Sequence, residues 1–239
     1  MSSSDGKAKF KEIWIMNNQR LEGLNDASFY WSRNVTDKLL IHNNQFIKKE
    51  RWKGLVKSMT NLSELNITNN AISKFGSDMF DQNGQSKLRI LNLRNNKINV
   101  IGDTNILSLP HIESMLFDGN QIDYIKTSAF QLVKSDASLI TISLKNNKIH
   151  GKSIEKFAFN IPNENQFYLN LENNKFESIS ESSYESFKDF IMKNPKNVIN
   201  FANNNLTCQD KILRNLMKKQ IAKKQIIGID CPKINKQKL

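Results

Sequence analysis

The chain has 239 residues, a formal net charge of +12 and a hydrophobic content of 38%, enough to bury a sizeable core. No apolar run approaches the ~20 residues that a membrane-spanning helix needs, and residues 1–9 (MSSSDGKAK) lack the apolar core of a signal peptide. Glycine-rich phosphate loops and zinc-type Cys/His spacings do not occur in the sequence, so neither cofactor nor metal is expected.

In chain order, residues 1–9 read as a flexible lead, and from Phe10 an apolar pattern recurs, each copy closing on an asparagine. Phe10, Ile13, Ile15 and Asn18 open it, with Leu21 one place late; Leu39, Ile41, Asn44 and Phe46 follow. Leu62, Leu65, Ile67, Asn70 and Ile72 fit every position, as do Leu88, Leu91, Leu93, Asn96 and Ile98, and Leu139, Ile142, Leu144, Asn147 and Ile149. Ile112, Met115, Phe117, Asn120 and Ile122 fit with conservative swaps. The copies ending at Asn174 and Asn204 keep Leu169, Leu171, Phe176 and Ile199, Phe201, Leu206 but begin on the polar Gln166 and Lys196. Successive index asparagines are 26, 26, 26, 24, 27, 27 and 30 residues apart. Alternating apolar residues in each copy place one face of a short strand inward. An asparagine amide has both donors and an acceptor, so at the exit of each strand it can satisfy backbone groups of adjacent turns.

This L-x-x-L-x-L-x-x-N-x-L spacing resembles the leucine-rich-repeat family from about residue 10 to 231. The resemblance implies an α/β solenoid of about eight repeats, curved like a horseshoe, with a parallel sheet on its concave face and a C-terminal helical cap. The domain reading is a lead (1–9), repeats (10–206), a cap (207–231) and a basic tail (232–239). Between strands, residues 45–61 read as helical, with Trp52, Leu55, Val56 and Met59 on one face. Phe75 with Phe80, Ile125 with Phe130, and Ile179 with Tyr184 fill the convex side at matching offsets. Segments 81–86, 102–110 and 161–166 read as return loops, and the long last spacing adds Phe187, Phe190 and Ile191. Nothing obvious covers the first strand, so preceding polypeptide, a partner, or residues 1–9 folding back is expected there.

In the cap, Ile212, Leu213, Leu216, Met217 and Ile221 form an apolar stripe expected to cover Ile199, Phe201 and Leu206. Cys208 and Cys231 bracket the cap and resemble a reduced form of the cysteine-bearing cap of extracellular leucine-rich-repeat proteins. That implies a disulfide worth about 3 kcal/mol for a loop of about 24 residues, and a secreted, disulfide-bonded protein. Such caps commonly carry four cysteines and an apolar-Pro-Phe lead, where this chain has two and NNLTC. The open alternative is a pair of free thiols in a cytoplasmic adaptor. The irregular repeat lengths and two-cysteine cap are similar to secreted arthropod leucine-rich-repeat proteins, some of which are non-catalytic partners of enzymes. Sequons at Asn34, Asn61, Asn66 and Asn205 satisfy the glycosylation pattern, and a glycan on Asn66 would obstruct the sheet.

Register places Trp14, Leu40, Asn66, Asn92, Leu116, Ser143, Asn170 and Asn200 in one concave-face column, and Met16, His42, Thr68, Arg94, Asp118, Lys145, Glu172 and Ala202 in the next. Trp14, Leu40, His42, Asn66, Asn92, Arg94, Leu116, Asp118, Lys145 and Glu172 are the candidate protein-binding residues. The alternating signs from Arg94 to Glu172 do not make a uniform basic groove, so nucleic acid is disfavoured here, and cross-strand pairing is the competing role. Nine of the last 32 residues are Lys or Arg; Lys211, Arg214, Lys218, Lys219, Lys223 and Lys224 form a basic cap that reads either as a solvated face or as a site for an anionic glycan or membrane surface. Of His42, His111 and His150 only His42 falls on the concave face, between Met16 and Thr68. No nucleophile–base–carboxylate set is visible, and the chain is read as non-enzymatic.

Overall fold

The computed structural model describes residues 9–21, 24, 27–44, 56–75, 87–102, 109–132, 135–219 and 224–229. In order, the elements are β1 (Glu12–Met16), β2 (Lys38–His42), β3 (Glu64–Thr68), β4 (Ile90–Asn92), β5 (Val100–Ile101), β6 (Ser114–Leu116), β7 (Tyr124–Ile125), β8 (Leu139–Ser143), β9 (Gln166–Asn170), α1 (Glu181–Lys193), β10 (Val198–Asn200), α2 (Lys211–Lys218) and β11 (Ile226–Ile227). Nine of the strands form one parallel sheet in the order β1-β2-β3-β4-β6-β8-β9-β10-β11. This is a mixed α/β architecture consistent with a leucine-rich-repeat-like solenoid.

Each main strand contributes one turn, and the register follows the asparagine index. Ile13 pairs with Leu39, Leu39 with Leu65, Leu65 with Leu91 and Leu91 with Met115. Met115 then pairs with Ile142, Ile142 with Leu169 and Leu169 with Ile199. All eight are buried, as strand alternation requires. On the opposite side of the core, β5 and β7 form a second small parallel ladder, extended by the bridges Phe75–Ile101 and Ile125–Ile154. Between the two ladders runs a chain of phenylalanines: Phe75, Phe117, Phe130, Phe159, Phe187 and Phe201, with neighbouring ring centroids 5.0–6.3 Å apart. Of the expected convex pairs, Phe75, Ile125, Phe130 and Ile179 are buried and Tyr184 is partly buried; Phe80 lies outside the described residues. Residues 56–58 are helical, with Val56 and Met59 buried, whereas Trp52 and Leu55 are outside the described residues.

The structure departs from the sequence reading at three places. Leu139 does not take the first consensus position: it is 44% exposed, and Ile140 is fully buried instead. Strand β8 begins two residues earlier relative to its inward Ile142 than β4 does relative to Leu91, so strict alternation carries Ile140 inside. The same shift in β9 puts Phe167 inside, so the polar Gln166 costs nothing. Second, the segment read wholly as a cap supplies a ninth sheet strand. Ile226 pairs with Ile199 and Ile227 with Asn200, closing backbone groups that β10 would otherwise leave open. Buried Gln225 anchors this return by donating through Nε2 to the carbonyls of Ile191 (2.8 Å) and Asn194 (3.0 Å). Third, Phe10, read as the first consensus residue, is 50% exposed. Its backbone is held by the buried Thr36 and Ser32: Thr36 Oγ1 donates to the Phe10 carbonyl at 2.8 Å, and Ser32 Oγ accepts from Phe10 N at 3.0 Å.

Helix α1 fills the long last spacing. Ser180 caps it by accepting from Ser183 N, and Phe187, Phe190 and Ile191 are buried beneath it. Asp210 caps α2, accepting from Leu213 N at 2.7 Å and, through its other oxygen, from Ile179 N at 3.3 Å. Leu213 and Leu216 are buried as the apolar stripe of α2, which packs on α1; Ile212, Met217 and Leu206 are partly buried, and Ile221 lies outside the described residues.

Candidate functional site

The outward side chains of the sheet lie in two adjoining columns, because each parallel pairing keeps the register without a slip. Trp14, Leu40, Asn66, Asn92, Leu116, Ser143, Asn170 and Asn200 are successive partners in one column. Trp14 is 60% exposed; Leu40, Asn66, Asn92 and Leu116 are half-buried, and Ser143 and Asn200 are buried. Hydrogen bonds cross the strands within this column: Asn92 Nδ2 donates to Asn66 Oδ1 at 2.9 Å and Asn200 Nδ2 to Asn170 Oδ1 at 3.3 Å. Along its own strand, Asn66 Nδ2 donates to Glu64 Oε1 at 2.7 Å.

The second column is paired from His42 to Glu172. His42 Nδ1 lies 2.8 Å from Thr68 Oγ1, Arg94 Nε donates to Asp118 Oδ2 at 2.7 Å, and Lys145 Nζ donates to Glu172 Oε1 at 2.9 Å. Asp118 also accepts from Lys145 N at 3.0 Å and from Ser143 Oγ. The alternating charges thus neutralise one another across strands, as opposite charges on neighbouring strands do. They leave an ordered polar surface rather than a field of one sign. The apolar end of the face lies at β1, where Trp14 and Met16 (45% exposed) stand beside Leu40 and His42.

Beneath the outer face, the index asparagines tie each turn to the one before. Asn96 Nδ2 donates to the carbonyls of Ile67 (2.7 Å), Leu93 (3.0 Å) and Arg94 (3.1 Å), while its Oδ1 accepts from Ile72 N at 3.2 Å. Asn44, Asn70, Asn120, Asn147, Asn174 and Asn204 repeat this arrangement: each donates to a carbonyl of the preceding turn (Ile15, Ile41, Leu93, Phe117, Leu144 and Leu171) and accepts a backbone N–H of that turn. Asn18, in the first turn, is exposed and donates to its own Met16 carbonyl.

Two features escaped the sequence reading. The residue before each index asparagine is left-handed: Asn17, Asn43, Asn69, Asn95, Gly119, Asn146, Asn173 and Asn203 all have φ between 50° and 68°. Asparagine and glycine tolerate that conformation best, and the recurring Asn-Asn doublet was the available signal. A polar cleft of about 560 Å3 also lies beyond the strand starts, lined by Ser63, Lys87, Arg89, His111, Glu113, Asp136 and Ala137. In it Arg89 Nε donates to Glu113 Oε1 at 3.0 Å, and the Glu113 carboxylate raises the Arg89 pKa further. His111 Nδ1 lies 2.7 Å from Asp136 Oδ2. The common offset of Arg89 and Glu113 from their asparagines could have revealed the first pair.

Lys211, Arg214, Lys218, Lys219 and Lys224 are all exposed, and Lys223 lies outside the described residues. No described cysteine is free, and Cys208 is engaged; Cys231 is outside the described residues. Among the described residues, no group of His, Cys, Asp and Glu could hold a metal ion, and no helix is long and apolar enough to cross a membrane.

No family model and no curated protein matches the chain. Among solved structures, it is similar to an internalin from Listeria monocytogenes, at 16% identity and a TM-score of 0.28, over 92% of this chain and 82% of that one. At that score the fold rests on this chain's own register and hydrogen bonds.

Proposed function

We propose that the chain is a non-enzymatic recognition scaffold that binds a protein partner through the outward face of its sheet. The observation that carries this reading is the face itself. Its side chains are held in fixed columns by cross-strand bonds, while Trp14, Met16, Leu40 and His42 form an apolar, partly exposed end beside the neutralised polar stretch from Arg94 to Glu172. Preorganised side chains lose little entropy on binding, and exposed aromatic residues serve as anchors in protein interfaces. The His111–Asp136 pair, the one described imidazole–carboxylate couple, has no hydroxyl or thiol hydrogen-bonded to its ring among the described residues, which favours a binding role over catalysis.

An oxidising, extracellular setting goes with this reading. The chain has only one other cysteine besides the engaged Cys208, namely Cys231, and a bridge between them would close the cap. Mass spectrometry of native protein alkylated without reduction tests this part: a linked Cys208–Cys231 peptide supports it, and two alkylated cysteines overturn it.

Binding is tested by immobilising the chain, recovering protein partners from the fluid in which it occurs, and titrating each purified partner against variants. Loss of binding on Trp14→Ala and on Arg94→Glu, with an unchanged unfolding midpoint, supports the sheet face. Equal binding by wild type and both variants overturns it.

A further inference from the structure

Two cations of α2, Lys211 and Arg214, stand in the half of the helix where its dipole does not favour them. A helix N-terminus carries partial positive charge, so carboxylates stabilise the first turn and cations the last. Helix α1 follows this rule, with Glu181 in its first turn and Lys193 in its last. Helix α2 carries a carboxylate at its N-terminus only in the cap, Asp210, with no acidic residue in the first turn itself, and Lys211 stands at its start with Arg214 one turn on. Only Lys218 and Lys219, at the far end, are favourable to the dipole. Among the described residues, none of Lys211, Arg214, Lys218, Lys219 and Lys224 forms an ion pair, whereas Arg94 and Lys145 on the sheet face are both paired. Among the described residues, charge pairing therefore does not account for Lys211 and Arg214.

Lys211, Arg214 and Lys218 are spaced three and four apart, which puts them on one helix face in a line about 10 Å long. All three are exposed, and Leu213 and Leu216 are buried on the other side. We propose that this line of cations binds a linear anionic polysaccharide bearing sulfate or carboxylate groups. The charge complementarity is direct, and a row of cations one turn apart suits a chain of regularly spaced anions better than a plane of headgroups. Binding at a membrane surface by an amphipathic helix needs a free apolar face, and that of α2 is spent on the core. Single-stranded nucleic acid is held by aromatic platforms, and none of the exposed large hydrophobic residues lies on α2.

The test uses the full chain with heparin as probe. Wild type is compared with the triple variant Lys211→Gln/Arg214→Gln/Lys218→Gln, and with Lys97→Gln/Lys148→Gln/Lys175→Gln, which removes the same charge from exposed lysines elsewhere. Heparin affinity is expected to fall about tenfold or more in the α2 variant, little in the control, and with rising salt in wild type. Equal losses in both variants, or none in either, overturn the proposal. Tighter binding to phosphatidylserine vesicles or to single-stranded DNA than to heparin at equal charge concentration overturns the assignment to polysaccharide. Arg94→Glu keeps heparin binding, so this site and the sheet face fail or stand separately. The three exposed glutamines do not threaten the fold, and a retained unfolding midpoint verifies that.

Discussion

A single amide in this protein does the work of several backbone partners. Asn96 satisfies three carbonyls and one N–H across two turns, so Asn96→Ala leaves buried polar groups unpaired and is expected to cost about 2–4 kcal/mol. Asn18→Ala, at the open end, is expected to change stability by less than about 0.5 kcal/mol; urea midpoints of the two variants provide the comparison, and equal losses would contradict the ladder. Gly119 has φ 68°, and a Cβ there would run into Asn95 Oδ1. Gly119→Ala is therefore expected to lose more than about 1 kcal/mol, with the steric part recovered by adding Asn95→Gly. Glu155 gives a pH-dependent example. Tyr124 Oη donates to it at 2.6 Å, and the backbone and side chain of Thr127 donate at 2.7 and 2.9 Å, lowering its pKa below 4.5. A carboxylate with a lowered folded-state pKa adds stability above its unfolded value and loses it as pH falls through the folded one. The stability gap between wild type and Glu155→Gln should hold near neutral pH, shrink below about 4.5 and vanish under the lowered value. A gap independent of pH would rule this out.

For the elements, the decisive quantity is where each strand starts relative to its core. Leu139 and Ile140 are adjacent and equally apolar, so residue type does not choose between them. The early start of β8 does, leaving Leu139 44% exposed and Ile140 fully buried. Ile140→Ser is expected to cost about 2–4 kcal/mol, while Leu139→Ser stays within about 0.5 kcal/mol. Thermal unfolding that reversed this order would restore the original consensus register. The repeats after Asn120 are longer, and the extra length goes into these early strand starts and into α1. The spacing that sets the main strands apart was readable from the asparagines. The ninth strand, β11, was not, because Ile226–Ile227 is too short and too near a helical stripe to show a period of two.

Across the whole molecule, exposed apolar surface is unevenly shared. Phe10, Trp14, Met16, Tyr30 and Trp31 all lie in the first turn and are between 44% and 60% exposed, whereas at the other end Leu213, Leu216 and Ile226 are buried. Beside β1, an open cleft of about 540 Å3 is lined in part by Ile15, Leu21 and Leu24. Among the described residues, β1 is the edge strand of the sheet, with a row of large exposed side chains beside it. Trp14→Lys, a surface change, is expected to leave the unfolding midpoint within about 0.5 kcal/mol while reducing retention on a hydrophobic matrix. A large loss of stability would place Trp14 in a packing role instead.

The sequence by itself determined the repeat, its register and the chain of amides, because each depends on residues at a fixed spacing and a strand or turn reads such spacing locally. It also placed the columns of the sheet face, since a parallel sheet without slips inherits the spacing of its repeats. Three things waited for the tertiary structure. The charges from Arg94 to Glu172 pair with one another, which depends on side-chain reach between strands and not on their order in the chain. The first consensus position moves by one residue in the later turns, because burial is decided by where pairing begins. The basic cap shows its unpaired cations only once α2 is seen to spend its apolar side on the core, since a sequence gives the charge of a helix face but not the partners that surround it.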